Sequence, residues 1–163
     1  MVVGTASKRF IAGAEVVKTV GGEEIGMEDL GGARVQAETS GNAHFFAASE
    51  HECFDQIKKL FSYLPANSRQ KADKAAERSP KSSYKIGNLL PKDAKVPFDV
   101  RDIVRSIVDD SEFLEVQELF AQNAIIGFGR VNGETVGIVG NQALVLAGVL
   151  DIEASRKGAR FVR

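Results

Sequence analysis

The stretch NAIIGFGRVNGETVGIVGNQ, residues 123–142, constrains the fold more than any other. Two apolar runs flank Asn132-Gly133, the pair preferred where both residues of a tight turn must accept positive φ. The pattern predicts an antiparallel hairpin. Gly127, Gly129 and Gly137 interrupt its strands. A strand glycine weakens the strand, so each marks a bend or another backbone packed very close. Just upstream, EFLEV alternates as a short strand.

Helices are marked by their caps. Ser49 followed by Glu52 is a capping box, in which hydroxyl and carboxylate each take a backbone N–H left over by the first turn. Phe54, Ile57, Leu60, Phe61 and Leu64 then recur at helical spacing and predict one apolar stripe, ended by Pro65. Cys53 beside it reads as a small buried hydrophobe. Asp99 caps VRDIVRSIVDD, with Val100, Ile103, Val104, Ile107 and Val108 on one face. A further helix begins after Asp151.

Between these halves the composition turns polar and basic, with Pro80, Pro91 and Pro97. Residues 66–98 therefore read as a linker, with a short helical piece around Gln70–Arg78. The cluster Arg69, Lys71, Lys74, Arg78, Lys81 and Lys85 reads as solvated linker rather than a phosphate site, because Tyr84 is its only aromatic neighbour.

The chain has 163 residues, 44% hydrophobic and 26% charged, with a net charge of -1. That balance gives no field to draw it to nucleic acid or an anionic membrane. No apolar run reaches the roughly 18 residues of a membrane span. The single cysteine excludes an internal disulfide and suits a reducing compartment. His44 and His51 have no cysteine or carboxylate partners at ligand spacing, so no metal site is expected. GGARVQ lacks the lysine and the Ser/Thr of a phosphate-cradling loop. Glu23-Glu24 and Asp109-Asp110 are sequential and do not converge as acid–base partners; both pairs are expected on solvated faces near helix ends. Met1-Val2-Val3 reads like the tail of a buried strand, and the last helix stops in mid-pattern at Arg163. Both ends predict a piece of a longer protein.

With its segments in place, the sequence resembles the carboxyltransferase (β) subunits of biotin-dependent acyl-CoA carboxylases, of the propionyl-CoA carboxylase and transcarboxylase large-subunit type. The resemblance rests on FIAGAEVVKTVGGEEIGMEDLGGA, SGNAHFFA, LFSYLPAN, PFDVRDIVRSIVDDSEFLEVQELFAQNAIIGFGRVNGETVGIVGNQ and AGVLDIEASRKGARFVR, in family order. It departs from the family pattern at Ala14 and Ala143, where proline is usual, and at Gly21, where threonine is usual. These changes leave the acyl substrate open.

The resemblance implies an α/β, crotonase-like fold: a ββα superhelix holding parts of two homologous subdomains. Residues 1–65 would end the acyl-CoA-side subdomain, 66–98 would link, and 99–163 would begin the carboxybiotin side. It implies transfer of a carboxyl group from carboxybiotin, carried on a partner protein, to the α carbon of propionyl-CoA or acetyl-CoA. Backbone amides, rather than a side-chain base, would stabilise the enolate. The family's main oxyanion peptides are absent here, so no catalytic residue is expected within the chain and the isolated piece is expected to be inactive. By analogy Gly140, Asn141, Gln142, Ala147 and Gly148 would border the biotin pocket, with Asn141 or Gln142 orienting the ring. Phe10, Ala12, Gly13 and His44 would border the acyl-CoA side. A plain turn and ordinary core packing remain the structural alternatives. His44 has two readings, a hydrogen bond to substrate or a tie that holds an irregular loop.

Implied partners are a biotin carboxylase or biotin carboxyl carrier subunit and further copies, as dimers within a ring. The implied location is the cytoplasm, or the mitochondrial matrix of a eukaryote. Two other functions stand beside this one: the carboxyltransferase subunit of a sodium-pumping decarboxylase, and a non-catalytic interaction domain. The edges AIIGF and VGIVG are expected to be exposed and to drive association.

Overall fold

The structure, a computed structural model, describes residues 1–4, 7–80, 86–93 and 95–163. Lys81, Tyr84 and Lys85 of the basic cluster lie outside the described residues. The chain forms two compact units, Met1–Ile57 and Lys58–Arg163.

In the first unit β1 (Val2–Val3) pairs in parallel with β2 (Phe46–Ala47). Strand β2 takes only the last two residues of the stretch HFFA, residues 44–47. Helix α1 (Ala14–Gly21) ends on Gly22, whose φ of 72° is the left-handed stop that glycine adopts without a Cβ clash. After α2 (Met27–Gly31), a π-helical turn spans Val35–Thr39. The glycine pair ahead of it has a packing reason. Arg9 N–H donates to Gly31 O at 2.8 Å, and a Cβ on Gly31 would stand 2.2 Å from the Arg9 carbonyl oxygen. Gln36, buried, completes the join: its Nε2 donates to Arg9 O at 2.7 Å, and its Oε1 accepts from Ser40 and Asn42.

Helix α3 (Glu50–Tyr63) starts on the capping box. Glu52 N–H donates to Ser49 Oγ at 3.2 Å, and the Glu52 carboxylate accepts from Ala48 N–H at 2.8 Å. Its apolar stripe is not a buried face. Phe54 and Phe61 are 60% and 68% exposed, and nothing among the described residues covers them. The buried residue is Tyr63, stacked on Phe128 with the Arg130 guanidinium 4.4 Å from its ring centre.

In the second unit no helix forms over Gln70–Arg78. Ala75 N–H instead donates to Gly133 O at 3.0 Å, because a long-range partner satisfies backbone that a short polar helix would have left to solvent. After α4 (Ile86–Leu89), α5 (Val100–Ile107) is capped by Asp99, whose carboxylate accepts from Arg101 N–H at 2.9 Å. Strands β3 (Leu114–Val116), β4 (Ala124–Val131) and β5 (Glu134–Asn141) form an antiparallel sheet in that order. The hairpin is in the expected register, Arg130 opposite Thr135, with positive φ at Asn132 (52°) and Gly133 (78°). A Cβ on Gly127 would stand 2.3 Å from Leu114 O, so the close backbone is strand β3. Val104, Val108 and Ile125 form the core with Val100, Phe113 and Ile138.

Two expectations fail here. AIIGF is no exposed edge: β4 is central, and Ile125 and Ile126 are buried. Among the described residues β3 and β5 are the edges of this sheet, and VGIVG lies in β5, with Val139 half exposed. Asp109 is not on a solvated face. It is 9% exposed, and its two carboxylate oxygens accept from Asn132 N–H at 3.2 Å and Gly133 N–H at 2.7 Å. The turn's donors sit at positive φ, so they point together and an anion fits between them.

Helix α6 (Ile152–Val162) carries Lys157, which is 1% exposed. Its Nζ donates to the carbonyls of Gln117 (2.9 Å), Phe120 (2.7 Å) and Ala124 (2.7 Å), with Ala121 at 3.4 Å. Burial pushes this ammonium down to about 8, opposed by the Glu115 carboxylate. An unburied lysine titrates near 10.5, so between those values the unfolded chain holds a proton the folded chain has released. Stability therefore rises with pH across that window.

Asp109→Ala leaves both turn donors without their anion and is expected to lower stability by about 2 kcal/mol in urea unfolding. A loss under about 0.5 kcal/mol would show the turn to hold itself. Lys157→Met strips three buried carbonyls and a part-buried fourth of their donor and is expected to cost about 3 kcal/mol at pH 7. The gap between wild type and this variant should widen from pH 8 to pH 10. A narrowing gap would mean that the carbonyls hold the proton against burial.

Candidate functional site

Strand β5 ends at Asn141, and residues 142–149 lead from it toward α6. Leu146, Ala147 and Gly148 are consecutive left-handed residues, with φ of 50°, 51° and 76°. Left-handed backbone costs a residue with a Cβ on the order of 1 kcal/mol, so the surrounding structure must hold this turn in place. Inside it Gly148 N–H donates to Val145 O at 2.9 Å, and Val149 N–H donates to Leu146 O at 3.0 Å. The N–H groups of Leu146 and Ala147 have no acceptor among the described residues, and both residues are exposed. Gly148 is fixed in type. Its φ disfavours a side chain, and a Cβ would stand 2.8 Å from Asn141 Nδ2.

Each proposed biotin-side residue has a definite place. Gly140 is half-buried in β5, over the side chains of Ile125 and Val100. Asn141 is exposed, and its Nδ2 braces the turn by donating to Gly148 O at 3.1 Å. Gln142 is fully buried. Its Nε2 donates to Asp99 Oδ1 at 2.6 Å, and its Oε1 accepts from Val100 and Leu144 N–H, both at 3.3 Å. That side chain joins the turn to the head of α5 and is directed inward. Ala147 and Gly148 lie in the left-handed turn itself.

The charges around this join are paired. Burial works against the Asp99 carboxylate, but the Gln142 amide, Arg101 N–H and the Arg101 guanidinium together hold it below its ordinary range. Arg101 reaches Glu115 with two parallel hydrogen bonds of 2.6 and 2.9 Å. Burial still pushes the Glu115 carboxyl up, against the pull of Arg101.

The proposed acyl-CoA-side residues all lie in the first unit. Phe10 is 38% exposed, and its ring lies over Gly13 and Gly31, where added Cβ atoms would stand 4.0 and 3.3 Å from it. Gly13 caps α1, its carbonyl accepting from Val16 and Val17 N–H at 3.0 and 3.2 Å. Ala12 is half-buried beside it. His44 is half-buried and follows the buried Ala43, just ahead of β2. Among the described residues no three His, Cys, Asp or Glu side chains gather to hold a metal, and no helix is long and apolar enough to cross a membrane.

Sequence reasoning missed the residues that hold the turn. Asn123, 2% exposed, accepts from Gln142 N–H at 2.8 Å and donates from Nδ2 to Val149 O at 2.8 Å. Lys157 holds the loop in which Asn123 lies. A signal for Lys157 existed: it follows the buried Ala154 by three residues and precedes Phe161 by four, on one helix face. Asn123 carried no comparable signal, because its partners lie 19 residues and more away.

The carboxyl transferase domain family matches residues 1–163. The propionyl-CoA carboxylase beta chain of Saccharopolyspora erythraea is 42% identical over 100% of this chain. The methylmalonyl-CoA decarboxylase subunit alpha of Veillonella parvula is 41% identical over 99% of it. The chain spans 32% of the length of each of these relatives. Among solved structures, transcarboxylase 12S, a hexamer with hydrolysed methylmalonyl-coenzyme A bound, superposes with a TM-score of 0.91 at 40% identity. That match covers 98% of this chain and 32% of the other. The fold is thus the crotonase-like fold of carboxyltransferases, and the chain belongs to the carboxyl transferase domain family.

Proposed function

We propose that this chain works within a biotin-dependent carboxyltransferase that moves a carboxyl group from carboxybiotin to the α carbon of a short acyl-CoA, propionyl-CoA or acetyl-CoA. The observation that carries the reading is the left-handed turn at Leu146–Gly148, in which the N–H groups of two exposed residues, Leu146 and Ala147, have no acceptor among the described residues. Such donors suit a reaction in which charge gathers on oxygen, because they need no reorganisation when it does. In the net reaction the acyl-CoA α carbon exchanges a proton for the carboxyl group. The proton ends on the ureido nitrogen that the carboxyl leaves.

In this reading residues 1–65 belong to the acyl-CoA side, 66–98 link, and 99–163 belong to the carboxybiotin side. Gly140, Asn141, Gln142, Ala147 and Gly148 build the biotin-side turn: Gln142 and Asn141 fix it from within, and the main chain faces the ligand. Phe10, Ala12, Gly13 and His44 border the acyl-CoA side. The donor is carried on a biotin carboxyl carrier, charged by a biotin carboxylase, in the cytoplasm or a mitochondrial matrix. Exposed Leu146, Val149, Leu150 and Ile152 beside the turn support burial against further protein, in a dimer within a ring.

A second reading runs the same chemistry in reverse, as in a decarboxylase coupled to a sodium pump. The 41% identity to the Veillonella parvula decarboxylase subunit favours it. The third, a non-catalytic interaction domain, predicts no response of the turn to biotin.

For the protein that carries this sequence, transfer from a carboxylated biotin carrier to propionyl-CoA or acetyl-CoA is expected. Failure with every short acyl-CoA would overturn the first reading. Faster transfer from methylmalonyl-CoA to biotin than the reverse would favour the second. Gly148→Ala strains the turn by on the order of 1–2 kcal/mol and is expected to cut transfer roughly tenfold. Its acyl-CoA KM should stay near wild type, and unchanged transfer would remove the turn from the mechanism.

A further inference from the structure

We infer that Asn123 is a positioning residue for the biotin-side turn, gripping both ends of the loop that carries it; this rests on the carboxyltransferase reading above. The loop leaves the sheet at Gln142, whose N–H donates to Asn123 O at 2.8 Å. It returns at Val149, whose carbonyl accepts from Asn123 Nδ2 at 2.8 Å. The Asp151 carboxylate, which caps α6 by accepting from Ala154 N–H at 2.8 Å, is held below its ordinary range by that N–H and by the nearby Asn123 amide. One buried residue thus ties the exit from β5 to the return of the loop.

The residue type follows from the geometry. Val149 O needs a donor at this point, and the Asn123 side chain supplies it from a planar NH₂ group. Aspartate has no donor at neutral pH, and serine carries its hydroxyl one bond closer to the backbone. Asn123 is in turn immobilised from behind. The carbonyls of Phe120, Ala121 and Ala124 on either side of it are all held by Lys157. The turn itself is under left-handed strain at Leu146 and Ala147 and is braced from within by the side chains of Asn141 and Gln142. Releasing one end would let the strain relax and turn the Leu146 and Ala147 N–H groups away. Asn123 touches no ligand in this scheme and acts only through the loop.

The test uses Asn123→Asp and Asn123→Ser in the whole protein that carries this sequence. Amide hydrogen exchange is followed alongside steady-state kinetics. Misplacement of about 1 Å costs up to roughly 100-fold, so kcat/KM for the carboxylated biotin carrier is expected to fall about 10- to 100-fold. The acyl-CoA KM should hold within about twofold, because that side makes no contact with Asn123 in this reading. Exchange at residues 144–149 should quicken while the β4–β5 hairpin keeps its protection. Unchanged exchange in the turn with unchanged kinetics overturns the proposal. Equal loss for both substrates with a deprotected hairpin also overturns it, as that is general destabilisation. Should the wild-type protein transfer no carboxyl to any acyl-CoA, the carboxyltransferase reading fails. The exchange contrast would then still decide whether Asn123 holds the loop.

Discussion

The ammonium of Lys157 lies where the carbonyls of Gln117, Phe120, Ala121 and Ala124 converge, and much of the second unit is arranged around that meeting. Burying a charge without partners is prohibitive. Here the charge is divided among carbonyl dipoles of a loop that has few other reasons to be ordered. Gln117 and Ala121 are at positive φ, so the loop must turn its oxygens inward, and a cation is what such a ring of oxygens stabilises. The same contact fixes where β4 begins, at Ala124, and brings α6 against β4.

Order then passes outward by hydrogen bonds. Asn123 is held between clamped carbonyls and in turn holds Gln142 and Val149. Gln142 carries the connection to Asp99 and the first turn of α5. Arg101 on that turn reaches Glu115 of β3, closing a circuit of helix, sheet and loop. A strained turn such as Leu146–Gly148 persists only where its surroundings leave it no alternative. This circuit supplies that constraint, and it is built from main-chain groups and neutral amides as much as from ion pairs.

The features legible in the sequence are those decided within a few residues. The Asn132-Gly133 turn, the Asp99 and Asp151 caps and the Ser49–Glu52 box all form as expected. The resemblance to biotin-dependent carboxyltransferases was also legible, because it is a matter of residue order over long stretches. What failed depended on partners far along the chain. The segment Gln70–Arg78 has helical composition, yet its backbone pairs with the hairpin turn. Phe54 and Phe61 keep a helical spacing, but spacing alone does not supply a surface to bury against. Asp109 resembled a surface residue because acidic pairs usually are, and only the hairpin brought two donors to it.

By itself, then, the sequence determined the local elements, their caps and the family, since φ preferences, capping and periodicity act over one or two turns of chain. Only the tertiary structure decided that Lys157 is a buried organiser, that Asn123 grips the candidate turn and that Gln142 faces inward. The physical reason is that a polar side chain has no fixed role until distant backbone is brought to it. The helix spacing of Lys157 could mark the face it lies on, but only the four carbonyls that close around it make it a buried organiser.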